Sequence, residues 1–456
     1  MRTLITGGLV ARTDGVFNAD ILIEDERILE LGERLHEREL AEGTRMVDVS
    51  GCVVMPGGVD AHTHLNLTAQ GTHVSDGFEA GTLAAAWGGT TTVIEHPGFG
   101  PQGCGLLHQP AAYREEAEGR CYVDYAFHGV LQHVDGTVLA DVPEAVAQGF
   151  PTLKAYTTYE GMLDDAALLH ILSALRDAGG LLAVHAENDA IAGFLTERLR
   201  QEAPLDPLSH PRSRPPHCEA EAVNRVLKLA KTADAPAYIV HLSTAEGLAC
   251  VREARRSGQK VIAETCPQYL LLDETAYAEP DGLKYVLTPP LRAPHHRRAL
   301  WEGLADGSIA VVATDHCSFS LAQKRERAVE SVFDCPSGVP GVETRLPLLF
   351  SEGVLRGRLT LPRFVEVACT APARIMGLPS KGRLEPGADA DITVIDPSDE
   401  RLVHHDRLHQ RTDSTPYEGM IVRGWPRHVW LRGRPLVFGR QLCGTAGQGR
   451  FLERAL

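Results

Sequence analysis

Between residues 59 and 315 one pattern recurs: a short run rich in β-branched and apolar residues, a loop, a helical stretch, then another run. The runs read VDAHTH, TTTVIEH, DYAFHGVL, TLKAYTT, LLAVHAE, AYIVHLS, KVIAETC and IAVVATD, eight in all. The stretches between them carry helical periodicity. In DDAALLHILSALRDAGG, Leu168, Leu169, Ile171, Leu172 and Leu175 share one face and Gly179-Gly180 ends the helix. In TAEGLACVREARRSG, Leu248 and Val251 share a side and Gly258 stops it. Eight such units over about 250 residues are the size and count of an α/β fold of the (β/α)8 TIM barrel type, in which functional residues sit at the C-terminal ends of the strands. The flanks differ. MRTLITGGLVARTDGVFNADILIEDERILELG alternates apolar and polar positions, with turns at Thr13-Asp14-Gly15 and Asp25-Glu26; GRLEPGADADITVIDP and MIVRGWPRHVWLRGRPLVFG do the same near the other end. The expected organisation is a β-sandwich built from residues 1–56 and 373–456, with the catalytic barrel inserted as residues 57–372.

Composition narrows the function. The 456 residues are 43% hydrophobic, with 44 Gly and 28 Pro, as in an ordinary turn-rich enzyme. A net charge of −15 without a dense Lys/Arg run argues against nucleic acid or an anionic membrane as partner and favours a small-molecule ligand. The start lacks a basic segment leading into a long apolar one, and no stretch is apolar for long enough to span a bilayer, so a soluble, cytoplasmic protein is expected. Ten cysteines without a C-x-x-C pair read as reduced, mostly buried thiols.

The chemistry lies where the runs end. Apolar strands finish in buried sheet, where a histidine is unwelcome unless hydrogen-bonded. Yet the first run ends in His62 and His64, the fifth in His185, the sixth in His241, the fourth holds Lys154 and the eighth ends in Asp315. In H-x-H on a strand both imidazoles point the same way. Four histidines and an aspartate converging on one barrel mouth predict a metal site, and nitrogen and oxygen ligands without thiolate suit zinc, with manganese, cobalt or nickel possible. Lys154 has two readings: an ammonium outside the cluster paired with a carboxylate, or an amine of depressed pKa that takes up carbon dioxide as a carbamate bridging two metals. His96, His128 and His316 read as hydrogen-bond partners of the ligands. His73, His133, His170, His210, His217, His295, His296, His404, His405 and His409 read as surface or structural.

The segments GGVDAHTHL, AWGGTTTVIEH, TLKAYTTYEGML, VHAEND, IVHLSTAEG, AETCPQYLLL, YVLTPPLR, VVATDHCSFS and GVPGVETR resemble the cyclic-amidohydrolase family along nearly the whole chain. Within it they are most similar to the dihydropyrimidinase and D-hydantoinase branch, its phenylhydantoinase members above all. The resemblance implies a binuclear site: His62 and His64 on the more buried ion, His185 and His241 on the more exposed one, carbamylated Lys154 bridging both, and Asp315 completing the first. Two divalent ions, expected to be zinc, would then turn a bridging water into hydroxide at neutral pH for attack on a ring carbonyl of a cyclic ureide. Asp315 would take the proton and return it to the leaving ring nitrogen. Tyr159 would hydrogen-bond the developing oxyanion, and Tyr156 would pack. Backbone groups at Thr288 and Ser337 would hold the ureide, Ser337 standing where the family commonly has Asn. The expected activity is ring opening of 5-substituted hydantoins or dihydropyrimidines to N-carbamoyl amino acids. Allantoinase is the alternative, left open by Asn66; the absence of Arg there argues against dihydroorotate. Non-catalytic relatives have lost ligand positions that are all filled here. Leu65, Leu67, Phe99, Leu106 and Leu107, beside the Gly-rich PGFGPQGCG, are expected to receive the 5-substituent. The terminal GQGRFLERAL resembles tails that reach a neighbouring subunit, which implies a homotetramer.

Overall fold

A computed structural model describes residues 2–456. Three runs form one parallel ladder, Gly58–Thr63, Thr90–Glu95 and Asp124–Phe127. A second ladder holds Gly129–Val130, Thr152–Tyr156, Leu181–His185, Ala237–Ile239, Val261–Thr265 and Val311–Val312 in that order. The two ladders share the third run, interrupted only at His128, and meet again where Thr63 bridges His316 in parallel. There the Asp315 N–H donates to His62 O at 2.9 Å and the His64 N–H to His316 O at 2.7 Å. Together these contacts close a (β/α)8 barrel.

The helices cover it as their periodicity demands. Asp165–Ala178 buries Leu168, Ile171, Leu172 and Leu175, leaves Leu169 half-buried, and stops at Gly179, whose φ of 75° suits a residue without a Cβ. Ala245–Arg256 buries Leu248, Val251 and Ala254 and is capped by the Thr244 hydroxyl. No described helix is long and apolar enough to cross a membrane.

Both ends of the chain enter one seven-stranded sheet. In it Val53–Pro56 pairs with Leu9–Arg12 on one side and with Ile392–Leu402 on the other. A four-stranded sheet (Arg27–Gly32, Asp20–Glu24, Arg2–Thr6, Arg45–Asp48) packs against it through Ile5, Ile21, Ile23, Val54, Ile392 and Trp430. The turns at Asp14 and Asp25 are the hairpins read from the sequence. Val53–Pro56 runs directly into the first barrel strand, so the sandwich fixes where the barrel begins.

The final segment is taken up by the chain's own barrel. Leu452 N–H donates to Tyr125 O, Phe451 stacks on Phe127 and approaches Tyr125 and Phe150, and Arg454 is buried against the Phe127 carbonyl and the Thr152 hydroxyl. Seven cysteines are buried, Cys104 and Cys250 partly so, Cys443 is exposed, and all ten are free thiols.

Candidate active site

Strand geometry brings the polar run-ends together. Asp315 Oδ1 lies 3.2 Å from His62 Nε2 and 3.2 Å from His64 Nε2. Lys154 Nζ lies 3.4 Å from His62 Nε2. On the other side His185 Nδ1 faces His241 Nε2 at 2.9 Å, and the His62 and His241 rings are 5.5 Å apart. Bonds of about 2.0–2.1 Å to a tetrahedral ion put neighbouring ligand atoms about 3.4 Å apart, so the His62, His64 and Asp315 spacing is that of a shell around one cation. These three residues also bring ligand atoms within 4.8 Å of one another.

In three of the four rings the other nitrogen fixes which one faces the centre, while His241 Nδ1 has no hydrogen-bond partner. His62 Nδ1 is 2.8 Å from Glu264, His64 Nδ1 is 3.2 Å from the His96 carbonyl, and His185 Nε2 is 2.8 Å from Glu187. With the proton held outward, a lone pair points inward, the arrangement that orients histidine on metals. Burial, reinforced for His62 by Lys154, keeps the imidazoles of His62 and His185 below their usual value, and burial does the same to His241. They are therefore neutral, as ligands must be. The donor set fits divalent cations.

Lys154 is 1% exposed, and among the described residues no carboxylate reaches ion-pairing distance of it. Burial lowers its amine to about 8 against the opposing pull of Asp315 and Glu264. Of the two readings, pairing with a carboxylate finds no partner. Burial alone would raise Asp315; His62, His64 and Lys154 outweigh it and hold the carboxyl at about 2. Backbone strain gathers here. His241, Asp315 and Tyr159 have φ of 36°, 53° and 75°, left-handed values that non-glycine residues hold only when the surroundings enforce them. For Asp315 the enforcement is visible: Thr314 is bonded through N–H and hydroxyl to Asp60, and Arg345, fully buried, ties the Val59 and Val312 carbonyls together.

Tyr159 sits at the rim, 37% exposed, its ring 5.1 Å from that of His185. Burial pushes the phenol upward; Arg214, over the ring at 5.1 Å, and the neighbouring Thr288 pull the other way. Thr288 in turn donates to Ser337 at 3.2 Å, so these three residues form one wall. Tyr156, expected to pack, is half-buried in the mouth: its ring centre is 5.4 Å from Lys154 Nζ, 5.9 Å from the His185 ring and 5.5 Å from Phe99. Of the apolar residues expected to receive a substituent, Leu65 and Leu106 do not face the mouth. Leu65 is 0% exposed against the helix Gly77–Trp87, and Leu106 is 4% exposed in the outer core. Leu67 packs beside Val74 and Phe319, and Leu107 against the core. Phe99, 41% exposed and packed on Tyr156 and Gly161, is left at the rim.

Of the three histidines read as ligand partners, His128 and His316 are hydrogen-bonded through their rings, whereas His96 meets His64 through its backbone carbonyl. His128 bonds the Ala61 carbonyl and the Thr152 hydroxyl. His316 donates from Nε2 to Asp76 and accepts two backbone N–H groups at Nδ1. His96 stacks on His128 at 3.8 Å, with neither ring nitrogen hydrogen-bonded.

Several supporting residues escaped the sequence. Glu264 accepts from His62, from the Tyr238 hydroxyl at 2.6 Å and from the His241 N–H. A carboxylate inside the apolar run VIAET was its signal. Glu187, two positions after His185 and just past the strand end, stands in the run-end segment VHAEND. Arg214, which binds Glu187 at 2.8 Å, gave no signal.

With the geometry described, comparison with known proteins is direct. The model of the amidohydrolase family matches residues 53–205 and 211–436. A D-phenylhydantoinase of Escherichia coli O1:K1 is 45% identical over 456 residues, covering 100% of this chain and 98% of the relative. Among solved structures, a dihydropyrimidinase from Brevibacillus agri superposes with a TM-score of 0.97 at 37% identity, covering 100% of this chain and 99% of that one. An L-hydantoinase from Arthrobacter aurescens superposes at 0.91 and 30%, covering 99% of each chain. A barrel with this inward-facing histidine, lysine and aspartate set, matched at full length by hydrolases of cyclic amides, belongs to the amidohydrolase family.

Proposed function

We propose that this chain opens the cyclic amide of 5-substituted hydantoins, aromatic ones above all, or of dihydropyrimidines, releasing N-carbamoyl amino acids. The observation that carries the reading is the convergence of His62, His64, His185, His241, Lys154 and Asp315 on one barrel mouth. It is supported by 45% identity to a D-phenylhydantoinase. His62, His64 and Asp315 would hold one divalent ion and His185 and His241 a second, zinc being the ion best suited to these donors. Bound there, the ions supply a water activated at neutral pH and a polarised substrate carbonyl.

The chain's own residues do the rest. The neutral Lys154 amine would add to carbon dioxide through a new N–C bond with release of one proton, and the resulting carbamate would supply oxygen ligands to both ions. Asp315, ionised and fixed by strained backbone, accepts the proton of the attacking water and delivers it to the departing ring nitrogen. Tyr159, kept protonated by burial, donates to the carbonyl oxygen as it gains charge. Backbone groups at Thr288 and Ser337 hold the ureide, and Phe99 with Tyr156 forms an aromatic rim for the 5-substituent. A homotetramer, by analogy with the family that the sequence resembles, and a cytoplasmic location accompany the proposal.

The test is ring opening of phenylhydantoin, dihydrouracil and allantoin side by side, on protein with counted metal and supplied bicarbonate. Phenylhydantoin should turn over fastest, and Lys154→Ala and Asp315→Asn should each lose at least about a thousandfold. Turnover of allantoin alone would overturn the substrate assignment. Near-normal rates in either variant would overturn the mechanism.

A further inference from the structure

The strands Ile392–Leu402 and Ile421–Leu431 are joined by a long strap, residues 403–420, that leaves the sandwich and returns to it. Its two ends are pinned together: Val403 N–H donates to Met420 O at 2.8 Å and Gly419 N–H to Val403 O at 2.9 Å. At this pinned root His404, His405, Asp406 and Glu418 form a cluster far along the chain from the barrel's ligands. His404, His405 and Asp406 each bring one ligand atom within 4.8 Å of the other two. Asp406 reaches His404 Nδ1 at 3.5 Å through one oxygen and His405 Nε2 at 2.8 Å through the other.

The opposite nitrogens are backed by a single carboxylate. Glu418 Oε1 is 3.3 Å from His404 Nε2, and Oε2 is 3.3 Å from His405 Nδ1. Glu418 Oε1 is buried and has no hydrogen-bond partner, and the two rings stack at 4.5 Å so that both present the same edges. For His405 this repeats the plan of the barrel site, where Glu264 and Glu187 hold the outward nitrogens of His62 and His185 while the inward ones face the centre. At the inward edge His404 Nδ1 accepts a long bond from the Asp406 N–H, 3.3 Å against 3.0 Å at His296, which an ion would displace. Asp406 is 70% exposed, so an ion can enter without rearrangement of the fold. A comparable group, Glu246, His295 and His296, lacks this plan, because His296 Nδ1 already accepts the Ala245 N–H at 3.0 Å.

We propose that the strap root is a further metal site, in which His404 Nδ1, His405 Nε2 and the Asp406 carboxylate bind one divalent transition-metal ion of the zinc, nickel or copper class, with Glu418 hydrogen-bonded to His405 and lying against His404 Nε2. The ion clamps the strap. Beyond the clamp, Arg411 N–H bonds Asp76, the partner of His316, and Tyr417 bonds Gln268, which donates to the Thr314 carbonyl at 3.0 Å. The strap thus braces both neighbours of Asp315, and an ion at its root stiffens that brace.

The experiment is independent of which ring the barrel opens. Holoenzyme and its His404→Ala/His405→Ala variant, both with a filled barrel site, are dialysed to equilibrium against buffered Zn2+ and their metal content is counted. Wild-type protein should hold one more ion per chain than the variant, and Cu2+ offered to zinc-loaded wild type should show imidazole nitrogen splitting in its paramagnetic resonance spectrum that the variant lacks. Should the double variant not fold, Asp406→Asn keeps the shape of the cluster and should weaken the extra site about tenfold or more. Equal metal content in wild type and the folded variant overturns the proposal.

Discussion

An ammonium buried without a counter-ion costs several kcal/mol, and a group in that position sheds its charge instead. Lys154 is such a group, and its lowered amine makes carbamylation at neutral pH physically sensible. The carboxylates behind the ligands carry a second consequence. Glu264→Gln keeps the shape beside His62 but no longer accepts its proton as an anion, and metal affinity should fall about 10–100-fold, read by competition with a chelator. Arg214 serves Glu187. Burial would raise the Glu187 carboxyl, but Arg214, His185 and Arg292 outweigh it and hold it at about 2. A folded value below the ordinary 4.5 means stability that is present above about pH 4.5 and lost as pH falls toward 2. Arg214→Met should therefore cost about 3 kcal/mol near neutral pH, with the deficit shrinking near pH 3, as urea unfolding at both would show. At the rim, Phe99→Ala should raise KM for phenylhydantoin several-fold, about 1 kcal/mol of lost ring contact, and leave dihydrouracil nearly unchanged.

At the scale of elements, the barrel strands supply direction and their C-terminal ends supply strain. His62 projects inward because side chains alternate along a strand; Asp315 lies past the end of the eighth strand and is aimed by its left-handed backbone. The network of Asp60, Thr314 and Arg345 joins the backbone bonds of Asp315 and His64 in keeping the eighth run in register with the first where Asp315 turns left-handed. The terminal segment illustrates a different dependence. It lies so close to the third strand that a Cβ on Gly449 would overlap the Val123 carbonyl oxygen, a backbone atom that cannot yield. Gly449→Ala should lift the segment, expose Phe451 and lower unfolding free energy by about 2 kcal/mol, with limited proteolysis cutting near residue 449. The helices needed no such help. Leu168, Ile171, Leu172 and Leu175 were readable as one face because a 3.6-residue period is local, and so was the stop at Gly179.

Over the whole molecule, the sandwich and barrel are joined by a buried ionic knot. Lys381, its side chain 1% exposed, lies 2.6 Å from Asp124 on the third barrel strand and 2.8 Å and 2.9 Å from Asp391 and Asp389 of the sandwich. Lys381→Met would leave three acids sharing Arg432 and Arg27, and should destabilise the protein by about 3–5 kcal/mol in urea unfolding. Nothing in the sequence announced this knot, since Asp124 lies 257 positions from Lys381. The same holds for Arg214 over Tyr159 and for the strap that reaches Asp76 and Gln268. What the sequence by itself determined was local or periodic: eight buried runs, helices with one apolar face, hairpins at Asp14 and Asp25, and the histidines, lysine and aspartate at the run ends. Those ends could be read as one site because a closed barrel sends every strand end to the same mouth. Tertiary structure alone decided which neighbours those residues have. It turned Leu65 and Leu106 away from the mouth, brought Tyr156 into it, laid the terminal segment on its own barrel and placed Glu264 behind His62. Contacts between distant segments depend on how the whole core packs, and no window of sequence contains that information.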